Sequence, residues 1–589
     1  MRQQLTSPPR PTRPRLGAEL ALRWPLHAAL LAATVAAAAP AAGAQTVLGA
    51  GASAFVLPRG VVRIGVAQSW SDYDDTFGAP ADTGDVRVPL GTRLSSDALG
   101  VPEFPALAAV ERDLGQLVGG NAIALNLGRT IVGVTANSRT TAIELEAGLG
   151  AGLSFGVIVP VVRTLSTVSV AANAAGGDAN VGLNPGRYGS DANAATAANA
   201  MVATQFARAA EQLRGRYSSC FTAAGGASGS AGCAEVVAFH AAATAYASTL
   251  ARVYGVTELG GAPVVPIAGS TVQRSVDATV ESYNARFALL LGAATGPITG
   301  RVRGAAPVTD ANLQSLLTDP TAGFALDSLR SRSRLTLGDI EVGLRLRVID
   351  TFRGREPRRL APGGVNLRST VAGTLRVGTG HLDSPNDLTD VATGDGQNDI
   401  EVASLTDLIV GSRAWISLVA RYGRQLADEQ QLRLPYANGG AYLPAFTLQN
   451  VGRDLGDYLQ LEATPRFAIS SSFAVEAQYR FRSKQADRYT GTFDVADGET
   501  ETTGLTLDAA LLGANSEQRE QRVGGAVTYS TYAANARRRA RLPLELSLGY
   551  LRTVAGRGGV PAGGVTQLQL RAFPRLFGPD WRAPRRAGR

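Results

Sequence analysis

The sequence predicts an all-β protein: a transmembrane, antiparallel, up-and-down β-barrel of about twelve strands, with a large α-helical insertion in one outer loop. Three observations carry that expectation. Many segments alternate strictly between apolar and charged residues. The chain opens on an export-type leader, and no later apolar run is long enough to span a bilayer as a helix. The links between alternating segments are short and long in turn.

The clearest segment is Leu335–Val348. From Asp339 onward Ile340, Val342, Leu344, Leu346 and Val348 fall on one face, and Glu341, Gly343, Arg345 and Arg347 on the other. Successive side chains of a strand point to opposite faces, so one face is wholly apolar and the other charged. A soluble sheet would turn the apolar face to a core. A membrane barrel turns it to lipid and the charge to a wet lumen. The rest of the chain favours the barrel.

Arg2, Arg10, Arg13, Arg15 and Arg23 precede the apolar run Ala28–Ala39, and Ala42-Gly43-Ala44 follows. That is the pattern of a cleaved secretory signal over 1–44. The alternative is a membrane anchor, but a spanning helix needs about 20 apolar residues and this run is short and Ala-rich. Five arginines and Glu19 leave with the signal, taking +4 of the formal +8. The remaining basic residues are spread through alternating strands and a tail over 578–589. Nucleic acid is therefore not an expected partner, since it demands clustered charge.

Residues 45–170 read as the first barrel strands. One strand covers Gly60–Trp70, where the terminal Trp suits a membrane–water interface. A helix is expected near Ala106–Leu117. Thr141–Leu149 and Leu153–Val162 flank a tight turn at Gly150-Ala-Gly152, and Pro160, lacking an N–H, marks a strand end or edge. Over 171–333 the alternation stops. Asp191–Arg214 and Glu235–Tyr254 are Ala-rich with helical spacing, and Thr271–Leu291 suggests a third helix. Cys220 and Cys233 bracket the Gly/Ser link between the first two. In an exported chain this predicts a disulfide clamping a helical hairpin. A separate soluble domain is the other reading. Strands then resume with the same grammar over 334–577, which favours a loop insertion.

Eight further strands are expected, at Gly364–Gly378, Asn398–Val410, Trp415–Gly423, Tyr458–Ile469, Phe473–Arg482, Gln521–Thr531, Leu542–Leu551 and Thr566–Phe573. Short turns lie at Gly150, Gly411–Arg413 and Ser470–Ser472. Long links lie at 71–128, 170–333, 379–397, 424–457 and 483–520. Short turns on one side and long loops on the other are what outer-membrane barrels show. Both termini then fall on the short-turn, periplasmic side, and the helical insertion falls outside.

Several segments resemble a family of Gram-negative outer-membrane barrels associated with meta-pathway phenol degradation and related to transporters of hydrophobic compounds. The resemblance rests on Glu144–Val162, ending in Val159-Pro160-Val161. It also rests on Leu337-Gly-Asp-Ile340, and on Leu375-Arg-Val-Gly-Thr-Gly380 with Gly394-Asp-Gly-Gln-Asn-Asp-Ile400. It covers roughly 140–165 and 335–482. The helical insertion and the basic C-terminal tail depart from it. The resemblance implies an outer-membrane barrel and suggests transport of small, hydrophobic molecules. It carries no catalytic residues.

The charged face collects Glu144, Glu146, Glu341, Arg345, Arg347, Arg368, Arg376, Glu462, Arg466, Glu476, Arg480, Arg482 and Arg571. Unpaired buried charge costs several kcal/mol, so these groups must be paired or hydrated. Two readings stay open: the lining of a channel for small solutes, or salt bridges that plug a structural or surface-interaction barrel. The acidic stretch His381–Asp390, leading to Asp395 and Asp399, lacks the spacing of a calcium loop and reads as solvated. No CxxC, HExxH or nucleophile–base pair marks an enzyme, a metal or a cofactor. Expected partners are outer-membrane lipid, the barrel-assembly machinery and a small-molecule solute.

Overall fold

The computed structural model describes residues 50–78, 86–174, 178–221, 231–255, 261–351, 365–411, 413–436, 440–495, 505–531 and 542–576. The signal at 1–44, the tail at 578–589, Phe577 and the Gly225–Ser230 link lie outside these.

Twelve strands form the barrel. They are β1 Val62–Tyr73, β2 Thr130–Gly150, β3 Leu153–Ala172, β4 Ile340–Asp350, β5 Val365–Val377, β6 Asp399–Val410, β7 Ala414–Gln425, β8 Tyr458–Ala468, β9 Phe473–Lys484, β10 Gln518–Ser530, β11 Leu544–Arg557 and β12 Gly564–Ala572. Each pairs antiparallel with its sequence neighbours. The ring closes where β1 meets β12, from Ile64↔Ala572 to Asp72↔Gly564. Closure leaves no open edge, the condition for a sheet that crosses lipid.

The alternation is realised as two faces. Leu145, Leu344, Leu346, Val402, Leu418, Leu461 and Leu548 are all exposed on the outside, whereas Glu146, Ser154, Asp407, Arg466, Glu545 and Gln569 are buried inside. Phe473 and Tyr529, cross-strand partners beside a short turn, are both exposed, with their rings 5.0 Å apart and tilted by 48°. Such an outward apolar band fits hydrocarbon, not water. Leu344→Arg is therefore expected to cost about 2–4 kcal/mol near the midplane and to impair assembly. Arg345→Leu, one residue on and inside, should assemble. Equal folding yields for the two in lipid vesicles would contradict this facing.

Two strand readings need correction. Pro160 does not end its strand, because β3 runs on to Ala172. Its register partner changes there: Leu153–Ile158 pair with β4, and Val161–Ser166 pair with a short strand Arg332–Leu337. Gly338 and Asp339 interrupt the two, so the segment from Leu335 to Val348 is also not one continuous strand. Pro160 faces that break, and its carbonyl accepts from the Gly338 N–H at 2.9 Å. A missing N–H at a gap in the ladder leaves nothing unpaired. The β2–β3 hairpin thereby overhangs the barrel on the long-loop side. The sixth link on that side, Gly558–Gly563, is short, against the general trend.

The longer helices are α1 Ala108–Leu117, α2 Ala192–Arg216, α3 Ala231–Tyr254, α4 Thr271–Leu291 and α5 Asp310–Thr318. They share one apolar core in which Leu114, Phe206, Leu213, Tyr246, Leu250 and Phe287 are buried. The overhanging hairpin contributes Val132, with Val134, Val168 and Val170 packed against the same core. The insertion is thus seated on the barrel by its own hydrophobic face. Ser270 caps α4 by accepting from the Gln273 N–H, and Gly292, at φ 67°, ends it. Cys220 and Cys233 form a disulfide with Cα atoms 5.2 Å apart. In the chain-entropy model a loop of this size gives roughly 3 kcal/mol. Reduction is expected to lower the melting temperature of the helical region and leave the barrel transition in place. A barrel transition that moves equally would contradict that separation.

Candidate functional site: the charged lumen

The inward residues form paired charge at several levels. Arg63 meets Glu146 at 2.5 Å, and Ser154 donates to the same carboxylate at 2.5 Å. Arg571 lies 3.5 Å from Glu144 and 3.6 Å from Glu545. Arg376 bridges Glu341 at 3.0 Å and Asp399 at 2.9 Å. Arg421 reaches Glu401 at 2.9 Å and Glu462 at 3.4 Å, and Arg480 lies 3.6 Å from Glu462. Arg466 and Glu476 pair at 2.8 Å with 1% of each side chain exposed, and Arg466 also stacks on Trp415 at 4.7 Å. Arg347 and Arg368 share Asp350 at 3.2 and 3.9 Å. Arg482 sits over the Tyr458 ring at 4.6 Å. Twelve of the thirteen candidate residues therefore have a named charged or aromatic partner. Arg345 is the exception.

Register explains these pairings. Glu462 and Arg480 are cross-strand partners, as are Arg466 and Glu476, and Arg376 lies between Glu341 and Asp399. A residue two positions further along each strand returns to the same face, so charges stack in rows. The candidate set omitted Arg63, Glu401, Arg421, Glu520 and Arg522, which complete these rows. Their signal was the same period of two, and all but Glu520, one residue before the expected Gln521–Thr531, lie in strands already recognised.

The short-turn end holds a feature that sequence reasoning missed. Residues 50–57 run inside the barrel. The Ala50 N–H donates to Glu476 Oε1 at 2.6 Å and the Ala54 N–H to Asp407 Oδ2 at 3.1 Å. Thr370 Oγ1 donates to the Ala54 carbonyl at 2.7 Å. Ala54 packs on inward Ala372, Ala403, Leu405 and Val419, and Leu57 packs with Val61 and Phe573. Asp407 and Glu476 lie three residues in from their strand ends, about 10 Å along the strand. The segment is Gly-, Ser- and Ala-rich, has no period and carries no charge before Arg59, so nothing in it announced a plug.

The other end is covered by interlocked loops. Phe104 stacks on Tyr442 at 4.5 Å and meets Phe324 edge-on at 5.0 Å. Arg433 donates to Asn386 Oδ1, the Leu443 carbonyl and the Ala325 carbonyl, tying three links together. Burial without a carboxylate partner pushes its guanidinium down to about 10. The acidic link is not solvated as expected. Asp387 pairs with Arg332 at 3.0 Å, and Asp390 accepts from His381 at 2.8 Å and lies 3.6 Å from Arg334. Basic side chains of the overhanging wall draw it inward. Between the two closures lies a cavity of about 210 Å³, lined by Arg63, Glu144, Glu146, Glu341, Arg345 and Arg421 among others.

A closed twelve-stranded sheet with an apolar outer face and charge within is a transmembrane β-barrel of the outer-membrane type. No known family model matches the chain, and no curated protein matches it. Among solved structures it is similar to an outer membrane channel from Pseudomonas putida F1, at 8% identity and a TM-score of 0.37, covering 88% of this chain and 97% of that one. A Pseudomonas aeruginosa FadL homologue gives 8% identity and 0.25, covering 88% and 90%. The Pseudomonas putida toluene transporter TodX gives 10% and 0.21, covering 88% and 90%.

Proposed function

We propose that this chain is an outer-membrane channel for small solutes, of the hydrophobic or amphiphilic kind that the family resemblance implies. In this reading it is exported by a cleaved leader over 1–44, inserted by the barrel-assembly machinery, and closed at rest. The observation that supports it best is the nature of the closures. Both ends are obstructed by segments outside the barrel ladder, residues 50–57 at one end and interlocked loops at the other. Such segments can move while all twelve strand pairings persist. The passage would be lined by Arg345, Arg347, Arg376, Glu462 and Arg480, and gated from outside by the helical insertion at 171–333.

One observation favours a second reading, a structural barrel with a filled lumen: the Arg466–Glu476 pair is buried, with 1% of each side chain exposed. Single-channel recording in planar bilayers separates the two. Discrete current steps from the full-length protein, larger when Asp191–Tyr254 is deleted, are expected of the channel. If the full chain, that deletion and a variant lacking residues 50–57 all fold yet pass neither ions nor a small neutral solute, the structural barrel replaces it.

A further inference from the structure

We propose that Arg345 is a carboxylate-binding site in the middle of the lumen, and that the solutes admitted are small organic acids. This rests on the channel reading and narrows it. Arg345 projects from β4 into the 210 Å³ cavity. Every glutamate on that cavity wall already has its own arginine: Glu146 has Arg63, Glu144 has Arg571 and Glu341 has Arg376. Arg421 on the same wall is matched by Glu401 and Glu462. Among the described residues Arg345 has no carboxylate within ion-pair distance and no hydrogen-bond partner, and Glu146 and Glu144 act on its charge only from farther away. Its donors open onto the cavity, where water or an anion must meet them. Its planar fork of donors fits a carboxylate bidentately better than it fits single waters.

The rest of the cavity sets the class of acid. Ala372 and Leu405 border it but are buried against Ala54, so size rather than an apolar wall limits the guest. The cavity's volume admits a molecule of a few carbons, not a long chain. The chain just before β4 adds an approach. Arg332 and Arg334 stand opposite Ser166 and Thr164, on the inner side of the overhanging wall. With Arg330 they border an outer cavity of about 310 Å³. Arg332 and Arg334 are matched by aspartates, whereas Arg330 has no partner among the described residues. An uncompensated cation at the mouth raises the local concentration of anions.

The test uses full-length protein in planar bilayers, with benzoate and toluene as probes of like shape. Millimolar benzoate is expected to interrupt the chloride current of the unaltered protein, and toluene is not. Arg345→Gln should abolish the interruption, and Arg345→Lys, which keeps the charge but loses the fork, should retain a weaker one. Heat-modifiable gel mobility checks that each variant folds. Equal block by benzoate and toluene, or unchanged block in Arg345→Gln, overturns the site while the channel stands. If no variant conducts, the channel reading falls, and bromide-soaked crystals of the full chain decide the site by themselves. An anomalous peak at the Arg345 guanidinium upholds it, and none there overturns it.

Discussion

Arg466→Ala is expected to lose about 3–5 kcal/mol, more than any other single lumen change, because it strands a buried carboxylate. Arg466 gives Glu476 Oε2 two hydrogen bonds, from Nε at 3.1 Å and Nη2 at 2.8 Å. Neither side chain keeps more than 1% of its surface in contact with solvent. The other oxygen of Glu476 accepts the Ala50 N–H, so the same change also loosens the plug. Urea unfolding in vesicles measures the loss. Replacing both partners by apolar residues of similar size, Arg466→Met with Glu476→Leu, should recover much of it, since a well-packed apolar pair often matches a buried ion pair. A double variant as unstable as Arg466→Ala would show that the loss comes from packing against Trp415, not from stranded charge.

The strands were legible because one face must be apolar and the other charged, and a period of two survives any loop length between strands. The helices α2, α3 and α4 were legible for the same reason at a period near 3.6, and the disulfide from its position across their link. What could not be read was anything decided by a distant register. The break at Gly338-Asp339 is intelligible only beside Pro160, and the pairing of Arg571 with Glu144 only once β1 is known to lie between their strands. The plug is the extreme case. Ala50 meets a carboxylate 426 positions away, and its own segment has neither periodicity nor charge to suggest that it is anything but a linker. The inward tilt of the acidic link was hidden likewise, since its arginine partners lie about fifty residues upstream on the overhanging wall.

Deleting residues 50–57 is expected to raise single-channel conductance severalfold while leaving the barrel intact. None of the ladders that close the barrel uses these residues; β1 begins at Val62. Their removal loses three hydrogen bonds to the wall, at 2.6, 2.7 and 3.1 Å. At about 0.5–1.5 kcal/mol net each, that loss is modest against the stability of a closed barrel. It also uncovers Ala372, Ala403, Leu405 and Val419, a small apolar strip that water will wet at little cost. Asp407 and Glu476 regain water in exchange for the two backbone donors, and Asp407 keeps its hydrogen bond from Ser417 at 2.8 Å. The limiting obstruction then moves to the loops tied by Arg433 and the stacked Phe104–Tyr442 pair. Combining the deletion with removal of Asp191–Tyr254 should therefore increase the conductance again. A current unchanged by either deletion, from barrels that keep their heat-modifiable mobility, would mean that the paired charges themselves seal the lumen.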